Sequence, residues 1–329
     1  MLNPPAEALF AVDAVREAAQ LTRLVQQQMV SPALTKADKS PVTVADFSAQ
    51  AIIAHRLLSH YPNAILVGEE DACELRVEEG QATLDQIRRF VATCEPAATV
   101  DDISRWIDHG CGEPGEEFWT LDPIDGTKGF LRGDQYAVAL ALIRGGRVEI
   151  GVLGCPELEE ASHPAVGGEG SLLVAVRGQG AWTQPLFVDG PWRALQVSPQ
   201  GDVRQARIFR SVETAHTNTG QLGTLAKAMG AEAEPIPMDS QAKYAALAGG
   251  GGEMLVRLLS ANRPDYRECI WDQAAGSIVV EQAGGKVTDL DGRTLDFSHG
   301  RRLVANRGVL ATNGTLHEAA LAAVREIGA

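Results

Sequence analysis

Two apolar runs in this chain stop abruptly at carboxylates, and that pattern limits what the chain can fold into. Ala64-Ile65-Leu66-Val67 leads into Gly68-Glu69-Glu70, and Phe118-Trp119-Thr120-Leu121 leads into Asp122-Pro123-Ile124-Asp125-Gly126-Thr127. Each run has the length and composition of a buried strand. An ionised carboxylate is costly to bury unpaired, so the fold must open at these strand ends or supply cations there. Asp122 and Asp125 stand three apart across a turn that Pro123 stiffens and Gly126 lets bend sharply. Both can point into one cavity, with the Thr127 hydroxyl beside them and the Ile124 carbonyl between them. Hard cations such as Mg²⁺ take oxygen ligands of this kind. The same residues would also serve as an Asx-rich loop capping a helix.

The rest of the chain mixes helices and strands. Residues 6–29 carry apolar positions at helical spacing, and a second helical pattern runs over 46–60 until Pro62 stops it. Residues 71–115 are polar and irregular, with one helix predicted around 84–91. Strands at 136–143 and 148–153 flank Arg144-Gly145-Gly146-Arg147, a hairpin signature. Beyond residue 200, strand 207–211, helices 217–229 and 240–248, strand 254–259, helix 272–283 and strand 286–290 alternate as in an α/β unit. The 329 residues exceed the roughly 250–300 at which one core usually divides. We expect an N-terminal α+β subdomain over 1–195 and a C-terminal α/β subdomain over 196–329.

With 45% hydrophobic and 22% charged residues the chain is neither disordered nor fibrous. Its 29 basic and 43 acidic residues leave a net charge of −14, which repels a nucleic-acid backbone and excludes polymer binding by a basic stripe. An anionic small molecule would need a local reversal of that field, which a bound divalent cation supplies. Five cysteines without a Cys-x-x-Cys pair argue against a disulfide framework or a thiolate zinc site. No apolar run approaches the ~18 residues of a membrane span, and the N-terminal segment has no basic leader region. We expect a cytoplasmic monomer without a membrane partner.

Three further segments place acids near the same chemistry. Glu69-Glu70 ends a strand, Pro41-Val42-Thr43-Val44-Ala45-Asp46 puts an acid where a helix is expected to begin, and Trp271-Asp272-Gln273-Ala274-Ala275-Gly276 puts one in the first turn of another. Acids at helix starts also stabilise the helix dipole by about 0.3–1 kcal/mol and need no other purpose. Phosphatases that form an aspartyl-phosphate place two Asp one residue apart, so the i, i+3 spacing of Asp122 and Asp125 disfavours a covalent phospho-enzyme.

Taken in order, Glu-Glu, Asp-Pro-Ile-Asp-Gly-Thr and Trp-Asp-x-x-Ala-Gly resemble the inositol monophosphatase superfamily of metal-dependent, lithium-sensitive phosphatases. The finer resemblance is to its 3′(2′),5′-bisphosphate nucleotidase family. It is carried by residues 38–46, by Asp125-Gly126-Thr127-Lys128-Gly129-Phe130-Leu131-Arg132-Gly133, by Ala215-His216, by Asp239-Ser240-Gln241-Ala242-Lys243-Tyr244 and by residues 266–272. Inositol phosphatases typically have Asn-Phe where this chain has Gly129-Phe130, and a much shorter connection than the 53 positions from Glu69 to Asp122.

The resemblance implies a layered α-β-α-β-α sandwich of the inositol monophosphatase and fructose-1,6-bisphosphatase type, with α+β and α/β parts. It implies two or three Mg²⁺ ions held by Glu69, Asp122, Asp125, Asp272 and the carbonyl of Ile124. Thr127 and Asp46 would orient and deprotonate the attacking water, with Glu70 assisting. Gly126, Thr127, His216, Ser240, Lys243, Arg257 and Asp272 would bind the substrate. Lys243 and Arg257 are also open to a plainer reading, as a solvated helix Lys and a strand Arg in a salt bridge. A second His common in the family after Ala215-His216 is replaced by Thr217-Asn218-Thr219. The implied reaction is Mg²⁺-dependent hydrolysis of the 3′-phosphate of adenosine 3′,5′-bisphosphate, with the 2′,5′ isomer and the 5′-phosphosulfate analogue as further substrates. The rivals are an inositol phosphate or polyphosphate 1-phosphatase, and a non-catalytic metal or nucleotide sensor.

Overall fold

The computed structural model describes residues 4–30, 40–212, 219–259 and 263–329. Helices α1 (Ala6–Met29) and α2 (Ser40–His60) lead into strand β1 (Leu66–Gly68), helices α3 (Gln81–Val91) and α4 (Val100–Asp108), strand β2 (Glu117–Asp125) and the short helix α5 (Thr127–Arg132). The hairpin β3 (Ala137–Arg144) and β4 (Arg147–Cys155) follows, then a small ribbon of β5 (Leu158–Glu159) and β6 (His163–Pro164), then β7 (Ser171–Val176), β8 (Gly180–Pro185) and β9 (Arg193–Ala194). The remainder comprises β10 (Ile208–Arg210), α6 (Thr219–Met229), β11 (Ile236–Pro237), α7 (Ala242–Ala248), β12 (Met254–Arg257), α8 (Ala274–Gln282), β13 (Lys286–Thr288), β14 (Val309–Thr312) and α9 (His317–Glu326).

Seven strands form one sheet in the order β1-β2-β3-β4-β7-β8-β9, in which only β1 and β2 are parallel. Five form a second, β11-β10-β12-β14-β13, parallel on its β11-β10-β12 side and antiparallel on the other. Strand alternation explains the layering. In β3, Val138, Leu140 and Leu142 join the core under α1 and α2, whereas Ala137, Ala139 and Ala141 face the core that holds α7 and α8. Small residues on that second face let α8 come close: a Cβ at Gly151 would fall on Ile278 and the Ala275 backbone. The second sheet divides likewise. Leu255 and Ala311 point to α7 and α8, while Met254 and Leu310 point outward to α6 and α9. The result is the expected five-layer α-β-α-β-α sandwich.

The hairpin is as predicted, with Gly145 and Gly146 at φ +55° and +71° in a two-residue turn of the type that matches strand twist. Three expectations need correction. Helix α2 begins at Ser40, so Asp46 lies inside it and not at its start. Pro41 is no obstacle in a first turn, where its missing N–H would have no helical partner. Helix α8 begins at Ala274, which leaves Asp272 in the turn ahead of it. The stretch 71–115 holds a second helix, α4, announced by a capping box in which Thr99 and Asp102 bond each other's backbone N–H. All five cysteines are free, and no helix among the described residues is long and apolar enough to cross a membrane.

Candidate active site

The acids meet because of how two strands end. β1 and β2 run side by side with Gly68 opposite Leu121, and the Glu69 N–H donates to the Leu121 carbonyl at 3.2 Å. Glu69 therefore leaves β1 at the level where Asp122 continues β2. Asp122 lies opposite Ala139 and Asp125 opposite Ala137, so β2 carries one residue more than β3 in between. In a regular strand residues three apart face opposite ways; this bulge turns Asp125 back toward the side of Asp122. Pro123 sits inside the bulge, where a missing ladder donor is tolerated. Gly126 follows at φ +93° and starts α5, whose first residue is the exposed Thr127.

Helix α2 brings Asp46 to the same place and, one turn on, Gln50. The Gln50 side chain accepts from the Glu70 N–H at 3.1 Å and donates to the carbonyls of Glu70 and Ile107. Asp272 arrives from the turn before α8. The Gln241 N–H donates to Asp125 Oδ2, and its side chain donates to the Trp271 carbonyl and accepts from the Gly276 N–H, each at 3.0 Å. Arg301 donates to the Gly68 carbonyl and lies over the Trp271 ring at 4.9 Å.

Electrostatically the cluster is strained. Burial, then the charges of Glu69, Asp125, Asp272 and Asp46, hold the Asp122 carboxyl well above its usual range. Asp46 is raised by burial, Glu70 and Glu69. Glu69 is reached by solvent, yet desolvation and the charges of Asp272, Glu70 and Asp125 raise it, and a hydrogen bond with Asp122 only partly opposes them. Glu70 is raised by desolvation, Asp71 and Glu74. Burial raises Asp272 against the pull of Arg257. Asp122 Oδ1 and Asp46 Oδ1 are buried with no hydrogen-bond partner among the described residues. Among these residues no three acids close on one point as in a finished metal site. Nor do Asp46 and Thr127 hydrogen-bond each other.

Beside the acids opens a cavity of about 470 Å³. Gly126, Thr127, Ser240, Lys243 and Arg257 line it together with Asp125, so five of the seven expected substrate residues share one space. Asp272 faces Asp125 and Arg257 electrostatically without lining the cavity, and His216 lies outside the described residues. Lys243 is not solvated: it is buried on α7, and burial lowers its ammonium to about 8, against the pull of Asp125. Arg257 does sit in a salt bridge, 2.8 Å from Glu268. Burial works against its charge, but Glu268 and Asp272 outweigh it and keep the guanidinium protonated. Ser240 takes φ +63°, and its Oγ accepts from the Ala242 N–H at 3.1 Å to start α7.

Sequence reasoning missed Gln50, Arg301 and Glu268. Gln50 could have been found from its place one helical turn beyond Asp46; nothing local marked Arg301, and Glu268 stood within residues 266–272 with no role of its own assigned to it. The cavity also has apolar walls in Phe209, Leu222 and Leu258, and a further cation, Arg263.

Fold and site together define a layered α/β protein with an acidic centre at strand ends opening onto a cationic cavity. Residues 6–329 match the inositol monophosphatase family, and the chain belongs to that family. It is 37% identical to a 3′(2′),5′-bisphosphate nucleotidase of Emericella nidulans, over 98% of each chain. It is 41% identical to one of Oryza sativa over 98% of this chain and 95% of that one. Among solved structures, an IMPase from Thermotoga maritima superposes with a TM-score of 0.64 at 20% identity, covering 97% of this chain and 96% of that one. CysQ from Bacteroides thetaiotaomicron superposes with a TM-score of 0.63 at 20% identity, over 95% of this chain and 99% of that one. These two likenesses bear on the fold.

Proposed function

We propose that this chain hydrolyses the 3′-phosphate of adenosine 3′,5′-bisphosphate, giving AMP and inorganic phosphate, and acts also on the 2′,5′ isomer and the 5′-phosphosulfate analogue. The observation that carries the reading is the single cavity joining Asp125, Gly126 and Thr127 to the cations Lys243 and Arg257. A bisphosphorylated nucleotide has two anionic ends, and this cavity offers one place for each. The names of the fungal and plant relatives support the same substrate.

The acid cluster fits divalent cations. Its donors are all oxygen, its carboxyls are raised by burial and then by mutual crowding, and Asp122 keeps a buried oxygen without a partner. Glu69, Asp122, Asp125, Asp272 and the Ile124 carbonyl would hold two or three Mg²⁺. Such ions, when bound, acidify water and stabilise charge on the transferring phosphoryl group and the leaving oxygen. Asp46, with its own unpartnered buried oxygen, accepts the proton of the attacking water. Thr127, at the mouth of the α5 turn, orients that water, and Glu70 assists. Ser240, Lys243 and Arg257 bind the remote phosphate, and Gly126 lets the substrate approach the backbone. Attack is direct, with inversion at phosphorus and no phospho-enzyme.

The test is a side-by-side rate comparison, in Mg²⁺, of adenosine 3′,5′-bisphosphate, its 2′,5′ isomer, inositol 1-phosphate and inositol 1,4-bisphosphate. The proposal expects the nucleotides to have the higher kcat/KM. A preference for either inositol phosphate would overturn it, and no turnover of any would point to a sensor.

A further inference from the structure

The acids of this site come from four separate stretches of chain, and two buried glutamines hold those stretches together. Gln50 and Gln241 are each 1% exposed or less. Gln50 binds the Glu70 backbone through both its N–H and its carbonyl, and reaches the Ile107 carbonyl at 2.8 Å. It stands one turn from Asp46, so a single amide sets the Glu69-Glu70 segment against the helix that carries Asp46. The surroundings are shaped to admit it: a Cβ at either Gly68 or Gly110 would overlap the Gln50 side chain. Gln241 performs the matching task on the other side. Its backbone N–H bonds Asp125, while its side chain bonds Trp271 and Gly276, which bracket Asp272. The clamp spans from the bulge of β2 to the turn before α8.

A purely structural amide would bond anywhere along these segments. Both side-chain amides instead bond backbone groups at or beside an acid and leave the acids' own side-chain oxygens alone; the one carboxylate contact, to Asp125 Oδ2, comes from the Gln241 backbone N–H. We infer that Gln50 and Gln241 are positioning residues that set the spacing of the carboxylates and thereby the affinity of the cluster for divalent cations. The inference rests on the cation-binding reading given above.

The variants Gln50→Met and Gln241→Met keep the side-chain volume and remove the amide. Mg²⁺ affinity is read directly by calorimetry on each folded variant and on the parent protein, alongside thermal unfolding and kcat and KM at saturating Mg²⁺. Partners that orient metal ligands typically affect metal affinity by about 10–100-fold when lost. Each variant is expected to bind Mg²⁺ about 10-fold or more weakly, with KM for the nucleotide at saturating Mg²⁺ near the parent value. Gln241→Asn, polar but too short to span both attachments, repeats the measurement should a Met variant fail to fold. Variants less stable than the parent that bind Mg²⁺ equally well would make the amides structural only and overturn the inference. A parent protein that binds no Mg²⁺ would overturn the cation reading itself, and the inference with it.

Discussion

Asp122→Asn should make the metal-free protein more stable while removing its response to Mg²⁺. Asp122 is 2% exposed and faces Glu69, Asp125, Asp272 and Asp46. Its carboxyl is raised in the folded state, so the native protein holds that proton more tightly than the unfolded chain does. An acid shifted this way withdraws stability as pH rises above its unfolded value near 3.9. At pH 7 the withdrawal cannot exceed about 4 kcal/mol, from three pH steps at about 1.36 kcal/mol each. Sharing of protons among the acids keeps the recoverable part below that bound. Unfolding entropy of about 2.1 cal/mol/K per residue over 329 residues is about 0.7 kcal/mol/K, so Tm without metal should rise, by no more than about 6 °C. The parent protein at a Mg²⁺ concentration 100 times Kd gains about 2.7 kcal/mol, or about 4 °C. The variant should gain little and lose nearly all turnover. Calorimetric or fluorescence melts with Mg²⁺ and with a chelator give all four values. A variant less stable than the parent without metal, yet equally stabilised by Mg²⁺, would show that Asp122 supports the fold and binds no cation.

Other outcomes follow from the same geometry. Thr127→Ala should lower kcat with little change in KM, because a hydroxyl that orients the reacting water acts mainly on the transition state; an effect confined to KM would reassign Thr127 to substrate binding. Lys243→Ala and Arg257→Ala should each reduce kcat/KM for adenosine 3′,5′-bisphosphate by about one to two decades, the worth of a charge-assisted contact of roughly 1.5–3 kcal/mol, and affect inositol 1-phosphate far less. Equal losses on both substrates would sink the assignment. His317 is fully buried, its ring nitrogens 3.0 and 2.9 Å from the Thr288 and Thr312 hydroxyls, and desolvation with the nearby Lys286 lowers it to about 4. The unfolded chain therefore takes up this proton first, and stability is lost as pH falls from about 6.5 to 4, by up to about 3 kcal/mol. Urea midpoints of His317→Gln at pH 7 and pH 4.5 should show a smaller fall than those of the parent; an identical fall would assign the acid sensitivity elsewhere.

The acids were legible in the sequence because strand runs that end in carboxylates are a local pattern. Their convergence was legible only through the order of the motifs. What makes Asp122 and Asp125 neighbours is a one-residue mismatch with β3, and a mismatch belongs to two strands at once. Asp46 stands at a helix start in the sequence reading because the helical pattern is traced only from there, whereas α2 begins six residues earlier, through the β-branched Val42-Thr43-Val44. Burial of Val42 and Val44 in the first core overrides that β preference. Helix α4 was readable from its Thr-x-x-Asp box and was passed over among polar residues. Arg301 and Gln241 act across 233 and 30–35 positions of chain, which no local signal spans.

Asp125 is where the acidic and cationic halves of the site depend on each other. Burial raises its carboxyl, while Lys243, Arg257 and the Gln241 N–H oppose the rise. The same Asp125 keeps Lys243 from losing its proton more readily than it already does. A protein of net charge −14 repels an anion at long range, so whatever draws a phosphate into this cavity must act close by. Lys243 supplies such a charge at neutral pH because its ammonium, near 8, is still mostly protonated there. Arg257 supplies a second that does not titrate in this range, because Glu268 and Asp272 secure it. The cationic wall is thus held in its charged form by the very carboxylates beside it. On the proposed reading the acids would serve twice, as oxygen donors to the cations and as the counter-charge that keeps a buried lysine protonated beside the phosphate it is proposed to bind.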